Sequence, residues 1–418
     1  MAPPLVSETA GFYDSLMEPN PDRAMKTPDL PIYLDNHATT RTDPRVVAAM
    51  LPFFTEIYGN AASTSHRFGW DAAAAVDRAR EQVAALLGAE AREIVFTSGA
   101  TEANNLAIRG ALPAVAKKGN HLVTAASEHK SVLDPMKRLA REGWDLTVVP
   151  CDAEGRVTVG AVEAALTERS VLVSVMAANN EVGAINPFAA IGRLCHDRGV
   201  LFHTDATQAV GKIPLDVRAD SIDLLSLTAH KFYGPKGIGA LYVRRSGPQV
   251  RLTAQVDGGG HERGLRSGTP AVPLIVGLGA AAELARLGRE AEAVRLSALR
   301  DRLHAAIADA VDLIRHNGPG ADRLAGNLNL SFANVDGEAL MMAMRDVAVS
   351  SGSACTSSNP EPSHVLTAMG LDEEMARASL RFGLGRFTTE AEVDYAARAV
   401  ASAVDRLRRL GGGMRDIA

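Results

Sequence analysis

The sequence predicts an α/β fold with a mostly parallel sheet that is covered by helices on both faces, followed by a smaller α+β unit. Between residues 94 and 243, short apolar runs alternate with helical patterns, as is typical of strands in a parallel sheet. Beyond Gly277 the pattern changes to mainly helical stretches. At 418 residues the chain is long enough for a sizeable core and two domains.

Apolar runs of strand length predict the sheet. They are residues 94–96, 121–124, 146–149, 171–176, 201–204, 224–227 and 239–243. A short strand from Ile32 precedes them and breaks into a polar turn. Helices of the first part are predicted at 44–54, 69–87, 100–116, 131–142, 159–166 and 188–197. For the smaller unit we predict helices at 278–287, 295–311, 337–344 and 390–407, with strands at 327–332 and 380–382.

The composition is that of an ordinary globular protein, with 46% hydrophobic and 22% charged residues. A net charge of -5 and the lack of a Lys/Arg-rich run argue against direct nucleic-acid binding. No apolar run reaches the ~18 residues of a membrane span. Three cysteines without a CxxC pair argue against a metal site and a disulfide scaffold, and favour a reducing, cytoplasmic setting.

The first 30 residues predict a flexible N-terminal extension. Prolines at positions 3, 4, 21 and 28 are interspersed with acidic residues. The stretch lacks the apolar segment of a signal peptide and the Arg-rich, acid-poor composition of a transit peptide.

Lys231 is the first candidate for chemistry, because it closely follows a predicted buried strand and precedes a Gly-Pro-Lys-Gly turn. A lysine on such a short tether is partly desolvated, and this favours the neutral amine that attacks a carbonyl. Adjacent hydroxyl and backbone N–H groups suit a phosphate. Both features together predict a lysine Schiff base to pyridoxal phosphate (PLP). Taken alone, a lysine at this position is more simply a surface residue in a loop.

Other polar residues follow predicted strands, where ligands bind in sheets of this kind. The segment Ser98–Thr101 opens a helix and offers an anion site, although a plain helix cap has the same appearance. Asp205, with Gln208 three residues on, can face a pyridinium nitrogen or can simply cap a turn. His129 can stack on a planar ring or move protons, whereas a lone histidine is usually a packing or surface residue.

Cys355 stands in a small polar stretch, residues 350–360, with almost nothing to bury. Since cysteine is ordinarily a buried hydrophobe, this setting predicts a reactive thiol. Cys151 and Cys195 adjoin predicted regular elements and are expected to be structural. Arg381, on a short predicted strand, is a candidate clamp for a substrate carboxylate, or else part of a surface ion pair.

Several of these stretches together resemble the PLP-dependent cysteine desulfurases. The resemblance extends over residues 32–410 and is carried by the segments Tyr33-Leu-Asp-Asn-His-Ala-Thr-Thr40, Thr228-Ala-His-Lys231, Ser350-Ser-Gly-Ser-Ala-Cys355 and Leu380-Arg-Phe-Gly-Leu-Gly-Arg-Phe387. The long segment around Cys355 is similar to that of the IscS/NifS type.

The resemblance implies fold type I of PLP enzymes. A large domain, residues 31–285, would contain a mostly parallel seven-stranded sheet and bind PLP, and its first segment would pack with the small domain. The small domain, residues 286–418, would carry the catalytic cysteine loop at 350–363.

The resemblance also implies roles for the site residues. Lys231 would hold the cofactor covalently and move the substrate Cα proton, and His129 would stack on the ring. Asp205 would face the ring nitrogen, and Gln208 the ring hydroxyl. The phosphate would be held by Ala100, Thr101, Thr228 and His230, with Thr269 reaching it from the neighbouring subunit of a homodimer.

On the substrate side, the resemblance implies that Asn180 contacts the cofactor and, with Arg381, binds the carboxylate of L-cysteine. Cys355 would accept the sulfur as a persulfide, and alanine would be released. The sulfur would pass to an iron–sulfur scaffold protein and to other acceptors. No resident metal is implied, although Cys355 would be able to ligate an iron–sulfur cluster shared transiently with the scaffold.

Two alternatives stay open at this point. One keeps the PLP site but acts as a selenocysteine lyase or as another fold type I PLP enzyme, such as a transaminase. The loop thiol of Cys355 favours sulfur abstraction over transamination, which needs no such group. The other is a catalytically silent interaction partner, which would be expected to lack Lys231, Asp205 or Cys355; all three are present.

Overall fold

The computed structural model of the protein describes residues 28–351 and 362–412. Its main sheet has seven strands: β2 (Ile94–Thr97), β3 (His121–Ala125), β4 (Asp145–Val149), β5 (Ser170–Ser174), β6 (Leu201–Asp205), β7 (Leu224–Thr228) and β8 (Gly239–Val243). Their order is β2-β8-β7-β6-β5-β3-β4. Strand β8 runs opposite to both of its neighbours, β2 and β7, and the pairs among β3 to β7 are all parallel, so the prediction of a mostly parallel sheet is confirmed.

Helices cover the sheet and its approaches. They are α1 (Pro44–Met50), α2 (Pro52–Thr55), α3 (Arg67–Leu87), α4 (Ala100–Val115), α5 (Lys130–Arg141), α6 (Val159–Ala165) and α7 (Phe188–Asp197). The helix predicted at 44–54 is two short helices, since Pro52 cannot donate to the carbonyl of residue 48 and starts a new helix. Asp43 caps α1, accepting a hydrogen bond from the Arg45 N–H at 3.0 Å.

A smaller sheet follows in the chain, with order β12 (Ser350–Ser351), β13 (Ser379–Gly383), β10 (Asn327–Phe332) and β9 (Ile314–Asn317). All of its strand pairs are antiparallel. The helices of this region are α9 (Gly337–Ala343), α10 (His364–Ala368), α11 (Glu373–Arg377) and α12 (Glu390–Gly412). The first strand of the described residues, β1 (Ile32–Tyr33), also belongs to this region, because it pairs in parallel with β11 (Val347–Ala348).

One helix, α8 (Val272–Ala310), replaces the two helices predicted at 278–287 and 295–311. Its first part, through Ala285, packs in the large core with the sheet, and its second part, from Leu296, packs in the smaller core. Between them Leu287 and Val294 are exposed. The middle of the helix faces no core, and the periodic pattern of apolar residues is therefore interrupted there. Gly288 alone does not break the helix. The boundary predicted at residue 285 lies inside this helix.

Across the described residues, the model contains no helix with both the length and the apolar character needed to cross a membrane. The carboxyl ends of β3, β5, β6 and β7 point to one edge of the main sheet, since these strands are parallel. That edge positions the polar residues considered next.

Candidate active site

A cavity of about 550 Å³ opens at this edge of the sheet. Most of the side chains singled out by the sequence line it. They are Ala100, Thr101, His129, Asn180, Asp205, Gln208, Thr228, His230, Lys231 and Arg381. Residues from well-separated parts of the chain thus meet in one pocket, as expected for strand ends in an α/β sheet.

Lys231 ends a single 3₁₀ turn, Ala229–Lys231, that directly follows β7. Its Nζ donates hydrogen bonds to the carbonyl oxygens of His37, at 2.6 Å, and Ala38, at 2.7 Å. Both carbonyls belong to the polar turn after β1. The amine is therefore held at the cavity wall by two neutral acceptors.

The N-terminus of α4 faces the same cavity through Ser98, Gly99, Ala100 and Thr101. The first backbone N–H groups of a helix have no intrahelical acceptor and attract anions. This helix end lies very close to β8: a Cβ on Gly239 would be only 2.7 Å from the Cα of Gly99. A side chain at position 239 would clash with this helix end and with the carbonyl of Leu227.

Thr228 and His230 line the same cavity as the α4 N-terminus. The Thr228 hydroxyl donates to the carbonyl of Ile238 at 3.1 Å, and His230 Nδ1 lies 3.1 Å from the Thr39 hydroxyl. Burial, and then the nearby charges of Lys231 and Lys236, lower the pKa of His230 to about 4. The His230 imidazole is therefore neutral at pH 7 and can donate one N–H.

Asp205 ends β6, and two donors hold its carboxylate. Oδ2 accepts from Asn104 Nδ2 at 2.8 Å, and Oδ1 accepts from the Thr207 backbone N–H at 3.0 Å. Asn104 Nδ2 also donates to Ser131 Oγ at 2.8 Å. The orientation of the carboxylate is thus fixed from the α4 side and from its own turn.

His129 is the N-cap of α5, and its Nδ1 accepts from the Ser131 backbone N–H at 3.1 Å. An acceptor nitrogen carries no proton, so the proton of the neutral ring is on Nε2. Burial is the main cause of a lowered pKa for this histidine. Because Ser131 also contacts Asn104, the supports of His129 and Asp205 are physically joined.

Arg381 lies on β13 and is buried, with only 3% of its surface exposed. Its Nη2 donates to Asp35 Oδ1 at 2.8 Å and to Ser350 Oγ at 2.9 Å, and Nη1 donates to the Asn180 carbonyl at 3.1 Å. Its Nε is buried without a hydrogen-bond partner among residues 28–351 and 362–412. A buried guanidinium edge with a donor to spare suits an incoming carboxylate.

Two predicted site residues are not placed in this cavity. Thr269 is exposed and does not line it, which is compatible with the prediction that it serves a neighbouring subunit. Cys355 and most of the predicted loop 350–363 lie outside the described residues, as does the extension up to residue 27. The described ends of that loop are anchored nearby: Ser350 donates to Asp35 at 2.6 Å, and Ser363 donates to Glu181.

Several residues of this site were not predicted from the sequence. Asn104, Lys212, Asp35 and the carbonyl of His37 all contact predicted site residues. Two of them could have been predicted from their spacing in the sequence: Asn104 lies three residues after Thr101 on a helix, and Lys212 lies four residues after Gln208. Asp35 and His37 contact residues that are distant in the sequence, so no local pattern indicated them.

The other two cysteines have the environment expected of structural residues. Cys195 is buried in α7, where burial raises the pKa of its thiol to about 12. Cys151 is partly buried, and burial raises its pKa as well. Across the described residues, no group of three or more His, Cys, Asp or Glu side chains is arranged to hold a metal ion.

The sequence of this chain is similar to those of known proteins. Residues 32–396 match the family described as aminotransferase class-V. The cysteine desulfurase IscS of Anaeromyxobacter dehalogenans (strain 2CP-C) is 60% identical over 381 residues, which is 91% of this chain and 94% of that protein.

Solved structures agree with the sequence comparison. A structure described as a NifS-like protein superposes with a TM-score of 0.84 at 37% identity, covering 90% of this chain and all of that one. A structure described as SspA in complex with cysteine superposes with a TM-score of 0.77, also at 37% identity, covering 86% of this chain and all of that one.

Proposed function

Because this chain belongs to the aminotransferase class-V family, we propose that it is a PLP-dependent cysteine desulfurase of the IscS type. It takes sulfur from L-cysteine, leaves it as a persulfide on Cys355 and releases alanine. The observation that carries the proposal is the position of Lys231, whose amine lines the cavity that also contains Asp205 and the α4 N-terminus.

The polar groups of the cavity fit PLP. N–H groups at the start of α4 suit the phosphate, and the Asp205 carboxylate suits a protonated ring nitrogen. Thr207 lines the cavity as well, and its Oγ1 is buried without a hydrogen-bond partner in the described part of the chain. When bound, PLP supplies an electron sink for negative charge on the substrate Cα.

The residues around the cofactor hold it and move protons. Asp205, fixed by Asn104 and Thr207, would keep the ring nitrogen protonated. Lys231 would hold the cofactor through its amine and would accept the Cα proton of the substrate. The ring of His129, whose pKa is lowered by burial, would stack on the cofactor and take part in proton transfer. The phosphate would be held by Ala100, Thr101, Thr228 and His230, and Gln208 would face the ring hydroxyl.

Arg381 and Asn180 set the orientation of the substrate. The Arg381 guanidinium would attract the substrate carboxylate by its charge and donate to it from an N–H that its contacts to Asp35, Ser350 and Asn180 leave over, which orients the amino acid relative to Lys231. The thiolate of Cys355 then attacks the substrate sulfur. The S–S bond of the persulfide forms as the Cβ–S bond breaks, and Cβ gains the electron pair and then a proton to give alanine.

A homodimer completes the site in this proposal, with Thr269 reaching the phosphate of the partner subunit. An aromatic patch supports such an interface: Tyr58, Phe68 and Trp70 are 64%, 51% and 56% exposed, and the rings of Tyr58 and Phe68 lie 5.5 Å apart. Clustered exposed aromatic side chains are typical of protein–protein contacts. From Cys355 the sulfur passes to an iron–sulfur scaffold protein, as the sequence resemblance implies.

The attachment of the cofactor can be tested directly. Purified protein loaded with PLP is reduced with borohydride and digested, and the modified peptide is identified by mass spectrometry. The proposal predicts one modified peptide containing Lys231, and loss of the visible cofactor band in Lys231→Ala. Modification elsewhere would overturn the assignment.

A further inference from the structure

Lys212 approaches the proposed cofactor site from behind Gln208. Its Nζ donates to Gln208 Oε1 at 2.6 Å. The turn that brings it there depends on Gly211, which has a φ of +75° and packs against α8, where an added Cβ would lie 3.0 Å from Ala285. Lys212 is half-buried, and its contact with Gln208 is partly buried as well.

The contacts of Gln208 leave its amide only one orientation. The protonated amine of Lys212 only donates, so this form requires the amide oxygen to face Lys212. On the other side, Gln208 Nε2 lies 2.9 Å from the carbonyl oxygen of His37, which only accepts. Reversing the amide would place donor against donor and acceptor against acceptor. Lys212 and the His37 carbonyl together fix the amide nitrogen on the side of His37.

The same carbonyl connects this arrangement to the catalytic amine. His37 O accepts from Gln208 Nε2 and, at 2.6 Å, from Lys231 Nζ. An amide NH₂ has two protons, and only one of them is used by His37. The second is available to a ligand in the cavity that Gln208 lines.

We propose that Lys212 is a positioning residue that locks the Gln208 amide so that it donates to the ring hydroxyl of PLP. This inference rests on the proposed function, since it takes the ring hydroxyl to lie beside Gln208. It adds a second lysine to the site, one that acts through Gln208 and touches neither cofactor nor substrate.

The charge of Lys212 also belongs to the electrostatics of the site. Burial, then the cations Lys231 and Arg381, lower the pKa of Lys212 to about 7, against the opposing effect of Glu292. A cavity of about 30 Å³ adjoins Lys212. The polar and charged side chains lining it include His37, Tyr233, Arg289 and Glu292.

The test measures PLP affinity, by adding PLP to apoprotein and following the visible band. Lys212→Met removes the donor, and we expect PLP to bind about tenfold more weakly, the value of one charge-assisted hydrogen bond. Lys212→Arg keeps a charged donor and should bind PLP within about threefold of wild type, with the adjoining cavity taking the larger group. Equal affinity of wild type and Lys212→Met would overturn the inference.

A double-mutant cycle separates positioning from a general structural effect. In a Gln208→Leu background, Lys212→Met should cause much less than the tenfold loss of PLP affinity, because the amide that Lys212 positions is absent and only the effect of its charge is left. The same tenfold loss in both backgrounds would show that Lys212 does not act through Gln208.

A third variant, Gln208→Glu, leaves Lys212 intact. The glutamate keeps the oxygen that accepts from Lys212 but lacks the N–H donor, so PLP affinity should fall as far as in Gln208→Leu. Wild-type affinity in Gln208→Glu would contradict the inference.

Failure of this inference is distinguishable from failure of the proposed function. If wild type forms a visible band that Lys231→Ala lacks, the cofactor assignment stands whatever Lys212 does. If PLP affinity then does not change when Lys212 is substituted, only the positioning role of Lys212 is wrong. A wild type that forms no such band removes the proposed function, and this inference with it.

Discussion

Arg381 Nη2 and Asp35 Oδ1 lie 2.8 Å apart, and Ser350 Oγ bonds to both atoms, donating to Asp35 and accepting from Arg381. Three separate segments therefore meet at one guanidinium: the turn after β1, strand β12 and strand β13. Ser350 stands five residues before Cys355 in the chain. The proposed carboxylate clamp and the start of the cysteine-bearing segment thus share one hydrogen-bonded cluster.

Asp35→Ala should be strongly destabilising, because it leaves the buried Arg381 charge without its anionic partner. We expect the free energy of unfolding to fall by about 3 kcal/mol, measured by urea denaturation of the apoprotein. Glu142→Ala is the matched control, since it breaks an exposed ion pair with Arg138 and should cost less than about 1 kcal/mol. Similar losses in the two variants would refute a special role for the Asp35 pair.

Arg381→Lys should weaken substrate binding without loss of the cofactor. A lysine retains the charge but not the planar set of five donors that holds Asp35, Ser350 and Asn180 as well as the carboxylate, so KM for L-cysteine should rise at least about tenfold. Steady-state kinetics and PLP titration measure the two effects separately. A KM within twofold of wild type would exclude Arg381 as the carboxylate clamp.

His203 should make stability depend on pH. It is fully buried on β6 between Ser174 and Ser226, and burial lowers its pKa to about 4. The unfolded chain, with a histidine pKa near 6.5, therefore binds the proton first, so the stabilisation is complete above about pH 6.5 and is lost towards pH 4. Between about pH 6.5 and pH 4, the free energy of unfolding of the apoprotein should therefore fall by about 3 kcal/mol less in His203→Gln than in wild type. Parallel pH profiles of the two proteins would contradict this.

The aromatic patch should control oligomeric state. Phe68→Asp places a charge in the proposed interface, and we expect sedimentation to show the mass of one chain where wild type shows two. Val294→Asp is the control, because Val294 is equally apolar and 74% exposed but lies in the middle of α8. A dimer that persists in Phe68→Asp would place the interface elsewhere.

The main sheet and most of the cavity wall could be predicted because their signals are local. Strand β8, Gly239–Val243, was predicted to the residue from one apolar run, and Asp205 and Lys231 were found because they follow such runs. The direction of β8 was not predictable, since strand direction depends on pairing between distant segments.

The supports of the site were missed for the same reason. Asp35 and Arg381 are 346 residues apart, and nothing in either local sequence indicates their contact. Helix α8 was predicted as two helices because its exposed middle carries no apolar stripe. Its continuity comes from two cores at its ends, which only the tertiary structure provides.

The most direct test of desulfuration uses purified, PLP-loaded protein supplied with L-cysteine and a reductant, with sulfide and alanine quantified together. The account predicts equal amounts of both in wild type. Lys231→Ala should produce neither product, and Cys355→Ala should retain PLP but produce neither product and form no persulfide. Alanine production by Cys355→Ala at the wild-type rate would contradict the role of Cys355, and a PLP-bound wild type that makes no alanine would contradict the account as a whole.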